Sequence, residues 1–165
     1  MEVKQLKKLF FLLTICTSAF AFDTKDVILE RIENNFDTSN RGISVQVEPQ
    51  GVLFKTSKGS AVITFENNRV DKIIVNQKYR NPKIDAPFLE GLMKNVAYFT
   101  GEPELENARL SDATSREYEM QINTRLSGKG VATKIIDYII FKDKWQALFG
   151  NYNRERNVEI KIYRK

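Results

Sequence analysis

Hydrophobic and polar residues alternate along most of the chain, and helical spacing interrupts this alternation in two places. Apolar side chains recur every three or four residues over 24–36 and again over 86–100, which predicts two amphipathic helices. Alternation with a period of two predicts strands at 43–48, 52–57, 60–66 and 69–76 between the helices, and at 116–126, 131–141, 145–150 and 157–164 after them. This order, α-β4-α-β4, predicts an α+β fold in which a flat or curved antiparallel sheet packs against an N-terminal and a central helix.

Two short polar segments indicate where the predicted strands reverse direction. Asn67 and Asn68 separate two strands, and asparagine tolerates the left-handed backbone conformation of a tight hairpin. The segment SGKG at 127–130 places a lysine between glycines, as phosphate-binding loops do, but a Walker loop requires a glycine where Asn123 stands. Because a strand rather than a helix follows SGKG, this segment is predicted to be a hairpin turn.

The ends of the central helix have clear signals, whereas the segment after it has none. Asp85 is expected to cap the helix, Pro87 lies in its first turn, and Gly101 stands where a helix usually ends. Residues 102–115 show no clear period and are predicted to be a loop or a short helix. The strand at 157–164 has one apolar face and is expected at an edge of the sheet.

The first 21 residues have the three parts of a secretory signal peptide. Lysines dominate residues 1–8, an apolar run too short to span a membrane follows, and Ala19 and Ala21 form a small-x-small cleavage site. We therefore expect a signal peptide at 1–21, a mature chain that starts at Phe22, and a single α+β domain at 22–165. A chain of this size can bury a sizeable core without covalent cross-links.

Cysteine usage indicates the bacterial periplasm. Cys16 is the only cysteine, so the mature chain can form no disulfide, whereas small secreted eukaryotic domains usually depend on disulfides. The alternative is a lipoprotein anchored through Cys16, which Ile15 disfavours because that modification requires a small residue before the cysteine. The expected location is periplasmic or secreted, with no transmembrane span in the mature chain. The signal peptide carries three lysines and one glutamate, so its removal lowers the formal net charge from +5 to +3.

Composition excludes much of the familiar enzyme chemistry. The sequence contains no histidine, and the mature chain contains no cysteine, so Ser-His-Asp, Cys-His and thiol redox sites are excluded. Neither a cofactor nor a metal site is predicted. Carboxylate-based hydrolysis is the enzyme chemistry that the composition still allows. Its candidate residues are Glu117 and Glu119, two positions apart on one face of a predicted strand. An enzyme is nevertheless the third hypothesis, since nothing indicates an apolar pocket around either carboxyl group.

The segment that leads into the central helix is the most basic part of the mature chain. Its candidate binding residues are Arg69, Lys72, Lys78, Tyr79, Arg80 and Lys83. Such a segment can meet an anionic partner, and an exported protein without a stronger basic stripe is not expected to bind nucleic acid. The first hypothesis is therefore a non-enzymatic binding module of the inhibitor, immunity or accessory type, which contacts another cell-envelope protein through its sheet face or this segment.

The alternative hypothesis is a carrier of a lipid or another apolar ligand. Aromatic side chains concentrate in the second half of the chain, and a curved sheet can enclose a cavity beside the central helix. The residues expected to line that cavity are Phe88, Leu92, Val96, Tyr138 and Trp145.

Overall fold

The computed structural model describes residues 22–37, 42–126, 132–135 and 156–165. The helices in this part are α1 (Lys25–Asn35), α2 (Pro82–Thr100) and α3 (Asp112–Glu117), and a 3-10 helix covers Pro103–Asn107. The strands are β1 (Ser44–Glu48), β2 (Gly51–Lys55), β3 (Gly59–Glu66), β4 (Arg69–Tyr79), β5 (Tyr118–Leu126), β6 (Ala132–Ile135) and β7 (Arg156–Arg164). The predicted signal peptide, the SGKG turn and the strand at 145–150 lie outside the described residues. Within those residues, no helix is long and apolar enough to cross a membrane.

The seven described strands form one antiparallel sheet in the order β1-β2-β3-β4-β7-β5-β6. This sheet, with one helix before it and the central helix between β4 and β5, confirms the predicted α+β class. The prediction that the last strand lies at an edge is wrong, because β7 pairs with β4 on one side and β5 on the other. Alternation identifies the buried face of a strand but not its neighbours, since every backbone offers the same ladder hydrogen bonds.

The core lies between the helices α1 and α2 and one side of the sheet, which we call the inner face. Side chains with no exposed surface come from both layers: Ile28, Leu92 and Val96 from the helices, and Phe54, Ile63, Ile73, Val75, Ile160 and Ile162 from the strands. Each large aliphatic side chain contributes roughly 1.5–3 kcal/mol when it leaves water. This burial holds the central helix against β3 and β4.

A bulge in β4 explains a break in its apolar pattern. Val70 and Ile73 are both buried on the inner face, although strict alternation would place them on opposite faces. Lys72 pairs with Thr64, and Val70 pairs with the next residue of β3, so Asp71 has no partner residue in that strand. The extra residue shifts the alternation by one position, and Lys72 is the first outward-facing residue after it. The predicted hairpin at 67–68 is confirmed, with positive φ at both asparagines.

The central helix begins earlier than predicted and is fixed to the sheet at its start. It starts at Pro82 rather than at 86, which places Asp85 within its first turn instead of before it. The Asp85 carboxylate accepts hydrogen bonds from the backbone N–H groups of Arg80 and Asn81, both at 2.7 Å. Gln77 Nε2 donates to the Asp85 carbonyl oxygen at 2.6 Å, so β4 and α2 are joined by side-chain and backbone contacts together.

The other end of α2 is held by Arg31 of α1, which is itself paired with Asp23 of the preceding segment. Gly101 has φ +75°, the left-handed conformation that ends many helices. The Arg31 guanidinium donates to the carbonyl oxygens of Tyr98 and Phe99 at 3.0 and 2.8 Å, and it pairs with Asp23 at 2.6 Å. A cation at this position satisfies carbonyl groups that the helix leaves without partners and complements the helix dipole.

The segment after the central helix was predicted to be a loop or a short helix, and it contains two short helices. Glu102 lies at its start and is only 3% exposed. Its carboxylate accepts hydrogen bonds from the Ser111 hydroxyl at 2.9 Å and from the Thr114 hydroxyl. Ser111 is also the N-cap of α3 and accepts the Thr114 backbone N–H. These polar contacts order a segment whose hydrophobic pattern carries little information.

Candidate binding face

The residues of the predicted basic site do not form one patch. The strand β4 continues to residue 79, three residues beyond its predicted end at 76. Arg69 begins this strand and forms a 2.7 Å ion pair with Glu117. Arg80 follows its other end, roughly 35 Å away at about 3.3 Å per residue. The side chain of Lys83 lies outside the described part of the structure.

Tyr79 lies in the core and not on the predicted binding surface. It is 2% exposed, because it lies an even number of residues after Val75 on β4 and therefore projects from the same inner face. Burial and, to a smaller extent, the carboxylates of Asp85 and Glu90 together raise the pKa of its phenol to about 12. A side chain in this position supports folding and is not accessible to a protein partner.

Lys72 and Lys78 lie on the side of the sheet opposite α1 and α2, which we call the outer face. Three aliphatic side chains stand in register at the centre of this face: Leu53 pairs with Val62, and Val62 pairs with Ile74. Each is half-buried, and cross-strand neighbours of this kind have Cβ atoms about 4.5–5.5 Å apart. We call these three residues the apolar triad. The triad is a continuous apolar strip across β2, β3 and β4.

Three lysines share the outer face with the apolar triad. Lys55, Lys72 and Lys78 are all exposed on the outer face of β2 and β4. In the ranges that the structure describes, none of these three ammonium groups forms an ion pair. We call the outer face of β2, β3 and β4 the open half, since its charges are directed to solvent.

The outer face of β7 and β5, which we call the paired half, is organised differently. Lys161 Nζ lies 3.1 Å from Glu159 Oε1. Gln121 Nε2 donates to Tyr163 Oη at 2.5 Å and to Glu119 Oε1 at 3.2 Å. A hydrogen bond from the Tyr163 hydroxyl, and then one from Gln121, lower the pKa of the Glu119 carboxyl, and the bond to Glu119 raises the pKa of Tyr163.

A hollow of about 400 Å³ lies at the end of the outer face where β3, β4 and β7 meet. We call it the polar hollow, because every described residue that lines it is polar or glycine. The side chains that matter for its chemistry are Lys58, Ser60, Asn76, Lys78, Asn157 and Glu159. It therefore offers ammonium, hydroxyl and amide groups beside the open half.

The residues predicted to line an apolar cavity occupy different places. Leu92 and Val96 have no exposed surface and form part of the core, directly against the inner face. Phe88 is half-buried and lines an open groove of about 380 Å³ beside α2, together with Ile43. Two further predicted lining residues, Tyr138 and Trp145, lie outside the described residues.

The carboxylate pair considered for hydrolysis is not on one strand. Glu117 ends α3 and pairs with Arg69, whereas Glu119 lies in β5 on the outer face, so the interpretation that both project from one strand face is wrong. Within the described residues, no group of three or more acidic, histidine or cysteine side chains is placed to hold a metal ion.

The apolar triad and Lys55 were not among the predicted site residues, although the sequence contains a signal for the triad. A strand with one buried face alternates, but β2, β3 and β4 each contain three consecutive apolar residues, at 52–54, 61–63 and 73–75. Such runs indicate strands that carry apolar side chains on both faces. The β7 sequence alternates cleanly and has no such run.

Comparison with known proteins gives no relative: no family model, no curated protein and no solved structure matches this chain.

Proposed function

We propose that this protein is an exported, non-enzymatic binding module of the inhibitor, immunity or accessory type, and that its open half contacts another protein. The observation that carries this proposal is the apolar triad, three aliphatic side chains in register within an otherwise polar face. An apolar centre with a polar rim is the usual composition of protein interfaces. A partner that covers the triad removes its remaining apolar surface from water, which favours association.

The charge around the triad indicates the kind of partner surface. Lys55, Lys72 and Lys78 are exposed without ion pairs in the described part of the chain, so an acidic surface complements them. Rim charges of this kind increase the association rate and select the partner more than they increase affinity. The proposed partner is therefore a protein with an acidic surface around an apolar contact.

The proposed location is the periplasm, which would make the partner a cell-envelope protein. The proposal rests on the signal peptide pattern at 1–21 and on a mature sequence without cysteine. Mass spectrometry of the protein from a cell-envelope fraction tests it. A chain that starts at Phe22 is the expected result, and a lipid-modified chain that starts at Cys16 would replace it with a membrane-anchored form.

The binding module is favoured over the apolar-ligand carrier by the packing of the central helix. Leu92 and Val96 are fully buried between α2 and the inner face, where a carrier would need space for its ligand. The groove beside Phe88 is open to solvent rather than enclosed, and Lys94 and Asn95 contribute to its lining. Pockets for apolar ligands bury most of the ligand surface.

Site-specific photo-crosslinking in the producing cells tests the contact. A photoreactive phenylalanine analogue replaces Val62 in the triad in one variant and Val27 in the control, since Val27 is a 40% exposed apolar residue on α1. We expect the Val62 probe to crosslink one polypeptide in a reproducible ratio and the Val27 probe to give no such product. Equal crosslinking from both positions, or none from Val62, contradicts the proposal.

A further inference from the structure

The polar hollow has the size and composition of a binding subsite. Its volume of about 400 Å³ lies within the range of small-molecule sites. Lys78 joins it to the open half, because the same side chain borders the apolar triad's face and lines the hollow. A partner on the open half would therefore extend to the hollow.

Uncommitted hydrogen-bonding groups line the hollow. Ser60, Asn76 and Glu159 lie in one cross-strand row, since Asn76 pairs with both of the others, and Asn157 belongs to the next outward row. Among the described residues, the side chains of Ser60, Asn76 and Asn157 form no hydrogen bond with another residue. These hydroxyl and amide groups can donate to a ligand without breaking a contact of the fold.

The charge of the lining selects the ligand. Lys58 and Lys78 contribute two positive charges and Glu159 one negative charge, so the described part of the lining has a net charge of +1. Lys161 lies 3.1 Å from Glu159 and offsets its repulsion of an anion. Lys58 is 43% exposed and 3.6 Å from the buried Asp85, a distance that leaves its other hydrogens free to donate. A singly charged anion fits this lining better than a doubly charged phosphate.

We infer that the polar hollow binds a carboxylate of the partner protein, an acidic side chain or a C-terminal carboxylate, between Lys58 and Lys78. This inference rests on the proposed function, because it assigns one contact of the same partner. A position between two ammonium groups and amide donors gives the carboxylate charge-assisted hydrogen bonds. The carboxylate fixes the position of the partner relative to the apolar triad.

The first test uses the protein alone. Backbone amide NMR spectra are recorded while N-acetylglutamate methylamide is added, with N-acetylglutamine methylamide as the neutral control of the same shape. We expect shifts at Ser60, Asn76 and Lys78 with the glutamate compound only, and a dissociation constant on the order of millimolar for one such contact. Lys78→Gln removes these shifts, and Lys72→Gln, on the same strand and face but outside the hollow, retains them.

Several results would overturn the inference. Equal shifts with the neutral compound, no shifts with either compound, or stronger binding of inorganic phosphate each exclude a carboxylate subsite. These outcomes do not depend on the crosslinking experiment, so the hollow and the binding module fail separately.

The second test uses the crosslinked partner once it is identified. Lys78→Gln is expected to increase the dissociation rate about tenfold, because it removes one of the charge-assisted hydrogen bonds to the bound carboxylate. Lys72→Gln is expected to change mainly the association rate. If Lys78→Gln leaves the dissociation rate unchanged while the glutamate compound still binds, the hollow takes a free small carboxylate and not the partner.

Discussion

The open half and the paired half of the outer face lie on neighbouring strands of one sheet and use their side chains in different ways. In the paired half, Glu159 forms an ion pair with Lys161. Glu119 accepts hydrogen bonds from Tyr163 and Gln121. In the open half, the lysines have no ion pair within the described ranges, and the apolar triad occupies the centre. The boundary between the halves runs between β4 and β7.

This difference shows where binding energy is available. A polar group that already has a partner within the chain must lose or share that contact when a second protein covers it, so its net gain on association is small. An apolar side chain that is partly exposed gains each time it leaves water. The open half therefore offers favourable contacts, whereas the paired half offers charges that are already compensated.

The largest expected effect is on the affinity for the partner, and it compares the same substitution, to aspartate, in each half. Val62 and Gln121 lie in the same cross-strand row, connected through Ile74 and Lys161. Val62→Asp is expected to weaken partner binding about 100-fold, equivalent to roughly 2.7 kcal/mol, because it places a charge at the apolar centre. Gln121→Asp is expected to change binding less than about twofold, as Lys161 can compensate the new carboxylate. Calorimetry measures both, and thermal unfolding checks that each variant folds.

Equal losses in the two variants would show that the whole outer face forms the interface and would remove the distinction between its halves.

An intermediate effect concerns the rate of association. Lys55→Gln combined with Lys72→Gln is expected to slow association about three- to tenfold and to reduce its dependence on ionic strength, because these charges attract an acidic partner over distance. Lys94→Gln is the control from outside the outer face, since the ammonium group of Lys94 lies 3.4 Å from Glu106 Oε1 on the helical side of the molecule. Surface plasmon resonance at several salt concentrations gives the rates. A control variant that slows association as much as the double variant contradicts the assignment.

The smallest expected effect tests the pairing itself. The Tyr163 hydroxyl holds the pKa of Glu119 below its ordinary value of 4.5. A lowered pKa means that this contact stabilises the fold above pH 4.5 and that the contribution is lost as the pH falls through the lowered value. Tyr163→Phe is expected to return the pKa toward 4.5, as measured by carbon NMR of the carboxyl group during an acid titration. An unchanged pKa would mean that the paired half is not held by this hydrogen bond.

Much of the fold could be predicted from local pattern, because burial imposes its period directly on the sequence. The stripe of Leu89, Leu92 and Val96 identified the central helix, and the asparagine pair identified its hairpin. The early start of the central helix could not be predicted from the local hydrophobic pattern. It depends on hydrogen bonds that Asp85 makes to backbone groups before Pro82, and capping patterns fit several registers.

The candidate site was harder to predict, because it depends on which strands become neighbours. The basic residues of β4 looked like one patch in sequence, but side chains on successive strand residues point to opposite faces, which separates Lys78 from Tyr79. The apolar triad and the polar hollow each require residues from three strands in register. Single strands show the apolar runs, but only the assembled sheet shows that they align.

The position of β7 has a consequence for how and when the protein folds. Its residues, 156–164, are synthesised after those of every other described strand, yet they separate β4 from β5 in the sheet. The two sides of the sheet therefore cannot join until residues 156–164 have been synthesised, and contacts between distant parts of a sequence form slowly.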